Sequence, residues 1–386
     1  MNNFVNMEKL VQTPLTNEEL QLTLEILLHR IDDIDDQCDG SFPIYSIGQQ
    51  NQWRTSSGGS WLGGFWAACW WLKAYLTKSK KDAATALELC KKLENKLSIN
   101  TINRSMIFWY GASLGSKWHN DPTAHRISIE ASRHLHHSFD NILQAIPLGK
   151  DMGGGPNADK KVSIDTLAST LQLLMYSQDI KASQTVQRHL DTLINTLSEQ
   201  TSSQTTGRWY SEAHYRSGKL KPIGIAGNWS RGQAWAMLAL SKAAYLWGSP
   251  YLEQAQHACE YWESSRWFHS NSIQHHQRIP LNDLDQTNGL HDPSSLLVSS
   301  LALLLLNQLQ ENDHYLQLAK KQIAVILRST YFSATNTDNN KQGIFWGCCM
   351  TTQYPNEQSL VESPWGIFFL ASCLSILLGH IQPYDV

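Results

Sequence analysis

The sequence predicts an all-α chain of about twelve helices, paired as six hairpins that close into a ring. Three observations predict it. Apolar residues recur at helical spacing along nearly the whole chain, the links between segments are of two kinds, short and long, and no Gly/Ser linker or charge block divides the 386 residues.

Apolar residues at i, i+3, i+4 and i+7 mark helices near 17–33, 61–77, 81–96, 104–117, 122–139 and 163–177. Six more follow near 181–198, 230–247, 250–265, 292–310, 313–329 and 364–379, with Asn, Ser, Asp or Pro at many of the starts. Short links at 77–80, 177–180 and 248–250 join antiparallel neighbours into hairpins. The long links 140–161, 200–228 and 266–291 carry Gly, Pro and aromatic residues, and such loops can cross one end of an assembly and build a site there. Short strands fit at 208–215 and 271–279 as minor elements. The expectation is one (α/α)6 toroid, a six-hairpin barrel spanning residues 1–386 as a single domain.

Composition narrows the function classes. A net charge of −3, with 31 Lys+Arg against 34 Asp+Glu and no basic patch, offers no field for nucleic acid or anionic lipid. The most apolar run, 296–306, is opened by serines and closed by polar residues, so it reads as a core helix rather than a membrane span. The seven cysteines are scattered, with no CxxC and no Cys/His spacing suited to zinc, which predicts reduced thiols, no metal and no cofactor. The first residues lack the basic start and apolar run of a secretory signal, so the expected location is the cytosol. Fifteen Trp against 10 Phe is the outlier, and an indole face suits stacking on sugar rings as well as core packing.

Three segments concentrate chemistry at predicted helix starts. In Gly58-Gly59-Ser60-Trp61-Leu62-Gly63-Gly64-Phe65-Trp66, Trp61 and Trp66 read either as a pocket mouth or as packing with glycines that let helices approach closely. Asp165 follows a glycine-rich loop and opens an apolar helix, as an N-terminal or capping acid or as a functional carboxyl. Arg231 lies between Trp229 and Trp235, and a buried arginine there demands a partner, either a structural pair with Asp165 or a bound anion. Asp292 before Pro293, and Glu362, read as helix-start acids, and the histidines of 133–137 suit a helix C-terminus better than a metal.

Taken in order, Trp61-Leu62-Gly63-Gly64-Phe65-Trp66, Val162-Ser163-Ile164-Asp165, Trp229-Ser230-Arg231-Gly232-Gln233-Ala234-Trp235, Asp292-Pro293-Ser294-Ser295 and Trp365-Gly366 resemble the unsaturated glucuronyl hydrolases, glycoside hydrolase family 88, and more distantly family 105. The resemblance spans most of the chain. It implies a role in polysaccharide degradation as a hydrolase, a glycosidase of carbohydrate metabolism. Its substrate is an oligosaccharide with a non-reducing-end 4,5-unsaturated uronic acid, and the active protein is a monomer or homodimer without nucleic-acid or membrane partners. The residue matching Asp165 acts as general acid and base, protonating C4 of the vinyl ether and activating a water that adds at C5. Arg231, Trp229 and Trp235 map onto substrate binding, and Gln233, Trp61, Trp66, Trp109, Tyr210 and His214 complete the expected site.

The match has gaps. The family's His-Asp-x-Gly-Phe segment aligns with Phe108-Trp109-Tyr110-Gly111-Ala112, placing Trp109 at the position of a second aspartate. The glutamine-containing loop reads Lys221 to Asn228, a family histidine falls at Tyr210 or His214, and the aspartate after Trp-Gly is Ile367. Without a neighbouring carboxylate, Asp165 beside Arg231 stays ionised unless Trp109 desolvates it, or Asp159, Glu212, Asp292 or Glu362 takes over. The alternatives are a catalytically silent or repurposed saccharide-binding toroid, and a different glycosidase or lyase on the same fold.

Overall fold

The computed structural model describes residues 13–201, 204–266, 279–333, 343–352 and 357–386. Its helices are α1 (Asn17–Cys38), α2 (Gly63–Thr77), α3 (Lys80–Lys92), α4 (Arg104–Phe108), α5 (Leu114–His119), α6 (Pro122–His137), α7 (Leu167–Tyr176), α8 (Ile180–Leu197), α9 (Ser230–Trp247), α10 (Tyr251–Arg266), α11 (Pro293–Gln310), α12 (Asp313–Leu327) and α13 (Pro364–Leu377). A π-turn, Trp109–Ser113, joins α4 to α5, so the two form one continuous helix and the described residues carry twelve.

Burial divides these helices into two rings. α2, α7, α9, α11 and α13 are apolar on nearly every side and almost wholly buried, as is the α4 to π-turn segment. In α1, α3, α6, α8, α10 and α12 the buried positions form a single stripe. The order along the chain is strictly outer then inner. α2 packs on the π-turn, α4 on α7, α7 on α9, α9 on α11, α11 on α13, and α13 returns to α2 and α1, closing the ring. The architecture is an (α/α)6 toroid.

Close approach of the second and first hairpins depends on Gly64. A Cβ there would lie 2.5 Å from the carbonyl oxygen of Ile107, so a methyl group cannot be accommodated without separating α2 from α4. The Gly111 carbonyl, within the π-turn, accepts from the Trp71 indole N–H at 3.0 Å.

Small sheets decorate the links, more than the sequence predicts. β1 (Phe42–Ile47), β2 (Trp53–Ser56), β8 (Cys348–Thr351) and β9 (Gln358–Glu362) form one antiparallel sheet in the order β2-β1-β9-β8. β3 (Lys161–Ser163), β6 (Glu212–Arg216) and β7 (Lys219–Ile223) form a second, while β4 (Ser198–Thr201) pairs β5 (Gln204–Trp209). Pairing of β3 with β6 delays the start of α7 from the predicted 163 to Leu167. The strand expected at 208–215 splits between β5 and β6, and 271–278 lie outside the described residues.

Residues 381–386 cross the far end of the toroid, where the C-termini of the inner helices converge. Lys242 of α9 donates to the Pro383 and Val386 carbonyls at 2.9 and 2.5 Å, and Gln172 of α7 donates to Val386 at 2.7 Å. All seven cysteines are buried and unpaired. Among the described residues no helix is long and apolar enough to cross a membrane.

Candidate functional site

Because each hairpin runs outer then inner, all six inner helices point the same way and their N-termini meet at one end. Their capping differs from that of the outer ring. Side chains of Thr16, Ser79, Asp121, Asp179 and Asn312 cap α1, α3, α6, α8 and α12. Among the described residues no side chain caps α2, α4, α7, α9, α11 or α13. First-turn N–H groups carry the positive end of a helix dipole, so six ends without a side-chain cap, two of them preceded by the Asp165 and Asp292 carboxylates, bias this end of the ring toward negative charge.

A cavity of about 190 Å³ opens there. Trp61 and Phe65 line it from α2, Asn103 and Met106 from the start of α4, and Asp165 from the residue pair preceding α7. Trp229, Arg231 and Trp235 come from the start of α9, Met350 from β8 and Trp365 from α13. The walls are mostly aromatic and thioether. Three polar side chains interrupt them, and one of these, Asp165, is a carboxylate.

Asp165 opens partly to the cavity but is set deep among protein atoms, and this loss of solvent raises its carboxyl above the usual carboxylate range. The Ser163 hydroxyl, which donates to it at 2.7 Å, the Arg231 charge and nearby backbone N–H groups pull the other way without cancelling the effect of burial. The like-charge neighbour expected to keep a proton available is therefore not what raises Asp165, because burial does so.

Arg231 does not pair with Asp165. Its Nη1 donates to Asp292 Oδ2 at 2.5 Å and lies 3.5 Å from Ser294 Oγ, whose hydroxyl donates to the other Asp292 oxygen. The guanidinium carbon sits 5.2 Å from the Trp229 ring centre and 5.0 Å from that of Trp365, so two indoles fix its plane. Trp229 is itself held by its indole N–H donating to Asn282 at 3.2 Å. Asp292 is fully buried, and its carboxyl is raised by desolvation against the lowering effect of Arg231.

Of the residues the sequence singles out, the fold brings Trp61, Asp165, Trp229, Arg231 and Trp235 together at the cavity. Trp66 is fully buried and meets Trp70 edge-on at 6.4 Å. Gln233 is also fully buried: it accepts from the Trp209 N–H at 3.1 Å and donates to the carbonyls of Gly207 and Ala258 at 2.8 and 3.3 Å. Neither lines the cavity.

Trp109 corrects the expected geometry. It sits in the π-turn, buried, edge-on to Tyr176 at 6.2 Å and beneath Lys117, toward the far end of the ring. It does not line the cavity, and the residues this helix presents there are Asn103 and Met106. Tyr210 packs at the edge of the core, and His214 on β6 is bonded to Glu212, both away from the lining. The substitute acids are likewise engaged, with Asp159 paired to Lys150 at 2.8 Å and Glu362 to Arg30 at 2.6 Å. Sequence reasoning left out Asn103, Met106 and Met350. Asn103 carries a signal, a polar residue just before an inner helix as Asp165 is, whereas Met106 and Met350 carry none.

No family model matches the chain, and no curated protein matches it. Solved structures do. A UGL variant with dGlcA-Glc-Rha-Glc superposes with a TM-score of 0.79 at 16% identity, covering 92% of this chain and 96% of that one. The unsaturated glucuronyl hydrolase of Bacillus sp. GL1, responsible for the degradation of glycosaminoglycan, gives 0.75 at 17% identity, with 92% and 94% covered. The unsaturated glucuronyl hydrolase of Streptococcus agalactiae gives 0.76 at 15%, with 99% and 97% covered. The protein is thus an (α/α)6 toroid. Its fold is that of the unsaturated glucuronyl hydrolases over nearly the full length.

Proposed function

We propose that this chain hydrolyses oligosaccharides that end in a 4,5-unsaturated uronic acid. The observation that carries the reading is the pairing, in one cavity, of a burial-raised acid, Asp165, with a single arginine, Arg231, at the meeting of six helix N-termini. The arginine and the helix ends suit a sugar carboxylate, and the indoles suit the faces of a sugar ring. Structures sharing this fold hold dGlcA-Glc-Rha-Glc and dGlcA-GalNAc6S, which supports a carbohydrate ligand of this class.

In this reading Asp165 gives its proton to C4 of the vinyl ether while water adds its oxygen at C5. The proton leaving that water returns to the Asp165 carboxylate, and the hemiketal opens to release the aglycone. One carboxyl suffices for both transfers, whereas an ordinary glycosidase needs two flanking the bond. Among the described residues Asp165 is the single carboxylate lining the cavity, which favours hydration over two-carboxylate hydrolysis. The test is loss of the ultraviolet absorbance of the C4=C5 bond when the protein meets lyase-generated disaccharides from chondroitin, hyaluronan, heparin, xanthan, ulvan and pectin. Decay on at least one is expected. Saturable binding without decay on any would favour the silent saccharide-binding toroid instead.

A further inference from the structure

Among the described residues three arginines are buried, Arg30, Arg104 and Arg266. Arg30 is paired with Glu362, whereas the other two have no carboxylate partner among the described residues. A buried cation held by neutral acceptors alone is costly, so its place in the fold carries information. Both lie at the end of the ring where the inner helices begin.

Arg266, in the last turn of α10, donates from Nε to Ser230 Oγ at 3.1 Å, from Nη1 to Ser265 Oγ at 2.7 Å and from Nη2 to the Gly227 carbonyl at 2.6 Å. Its guanidinium carbon lies 4.9 Å from the Trp262 ring centre. Ser230 stands between Trp229 and Arg231, two residues of the cavity lining. Arg104 opens α4 next to Asn103, also in the lining, and turns its guanidinium to the Ile99 carbonyl and Ser138 Oγ. The two charges therefore sit behind separate walls of the cavity. Burial pulls each guanidinium down only to about 10, so both are charged at neutral pH.

The acids at this end make those charges matter. Arg231, the cation of the lining, is engaged with Asp292, while Asp165 and Asp283 add carboxyls raised by burial and Asp285 is exposed. An entering carboxylate meets a neutralised pair and further acids unless cations outside the lining reach it. Charges set in protein rather than water are weakly screened and act over several ångströms without contact.

We propose that Arg104 and Arg266 set the preference of the cavity for an anionic sugar, acting by charge through its walls without touching the ligand. This deepens the function proposed above and rests on it.

The experiment uses Asp165→Asn protein at about pH 6, so that the ligand is not consumed and a lysine placed at either position keeps its charge. It reads quenching of the cavity tryptophans by the unsaturated, unsulfated chondroitin disaccharide and by its uncharged methyl ester. The host is expected to prefer the acid about tenfold. Arg266→Gln and Arg104→Gln, each added to the host, should cut that preference about three- to tenfold, and Arg266→Lys should hold it within about twofold. The two arginines lie on different helices, so if one Gln variant fails to fold the other decides. Equal binding of acid and ester by the host, an unchanged preference in the folded Gln variants, or equal weakening of both ligands overturns the charge role and leaves the proposed function intact. No saturable quenching of the host by the disaccharide overturns both.

Discussion

Arg231 spends one guanidinium nitrogen on Asp292 at 2.5 Å and none on Asp165, although all three belong to the same end of the toroid. The pair settles which acid is neutralised. Asp292, wholly buried, is the structural counter-ion, while Asp165 has one side-chain hydrogen-bond partner among the described residues, the Ser163 hydroxyl, and stays available to a ligand. The arginine acts on Asp165 through space, opposing the rise that burial imposes.

Replacing Asp165 with Asn should remove turnover by about 10²- to 10⁴-fold, the usual worth of a general acid or base. The fold should not suffer. A carboxyl raised in the native state binds its proton more tightly there than when unfolded, so its contribution to stability is full below the unfolded value and is lost as pH rises through the folded one. At neutral pH the charged form is the burdened form. Asp165→Asn should therefore melt at or above the wild-type temperature, and a lower melting temperature at neutral pH would contradict the burial argument.

The pH profile should carry the same sign. In the proposed reaction Asp165 acts in its protonated form, so kcat/KM should fall as pH rises through its folded value. Removing the Arg231 charge withdraws a lowering influence and should move that limb to higher pH. A limb that stays in place, or moves toward acid, would detach the limb from Asp165.

Arg231→Ala has a second cost, because it strands the buried Asp292 carboxylate. Losing one partner of a buried pair typically costs about 3 to 5 kcal/mol. The double variant Arg231→Ala/Asp292→Asn should recover most of this in urea denaturation. It also gives the fair host for testing the proposed grip of Arg231 on a sugar carboxylate, whose loss is expected to raise the Michaelis constant.

Glu362 accepts from Arg30 Nε at 3.0 Å and Nη2 at 2.6 Å, linking α1 to β9 without reaching the cavity. Glu362→Gln should destabilise by about 3 kcal/mol while turnover per folded molecule persists. Loss of turnover in correctly folded variant protein would return Glu362 to the list of acids.

Trp109→Phe should leave the Michaelis constant and the pH profile within about twofold of wild type, because Trp109 faces Tyr176 and Lys117 rather than the cavity. A tenfold change would mean that the π-turn transmits to the site.

The helices were legible because burial in a double ring is written directly as periodicity. Outer helices show one apolar stripe and inner helices are apolar throughout, and both patterns survive in α8 and α11 without any knowledge of the fold. The strands were not legible. β1, β2, β8 and β9 are short and come from two stretches about three hundred residues apart, so the β1–β9 pairing that joins them depends on a partner far away in sequence.

For the site, the sequence by itself placed Asp165, Arg231, Trp229, Trp235 and Trp61, since each sits at or near an inner-helix start within a distinctive local motif. It could not place Trp109, whose glycine-matched register pointed to the cavity. Nor could it reveal that Arg231 answers to Asp292, or that Asn103 is the polar side chain that the start of α4 adds to the cavity lining. Those facts are tertiary for a physical reason. Local sequence sets which residues begin a helix, but the direction a side chain takes and the charge that meets it are fixed by closing the ring, which brings residues 103, 165, 231 and 292 to one end.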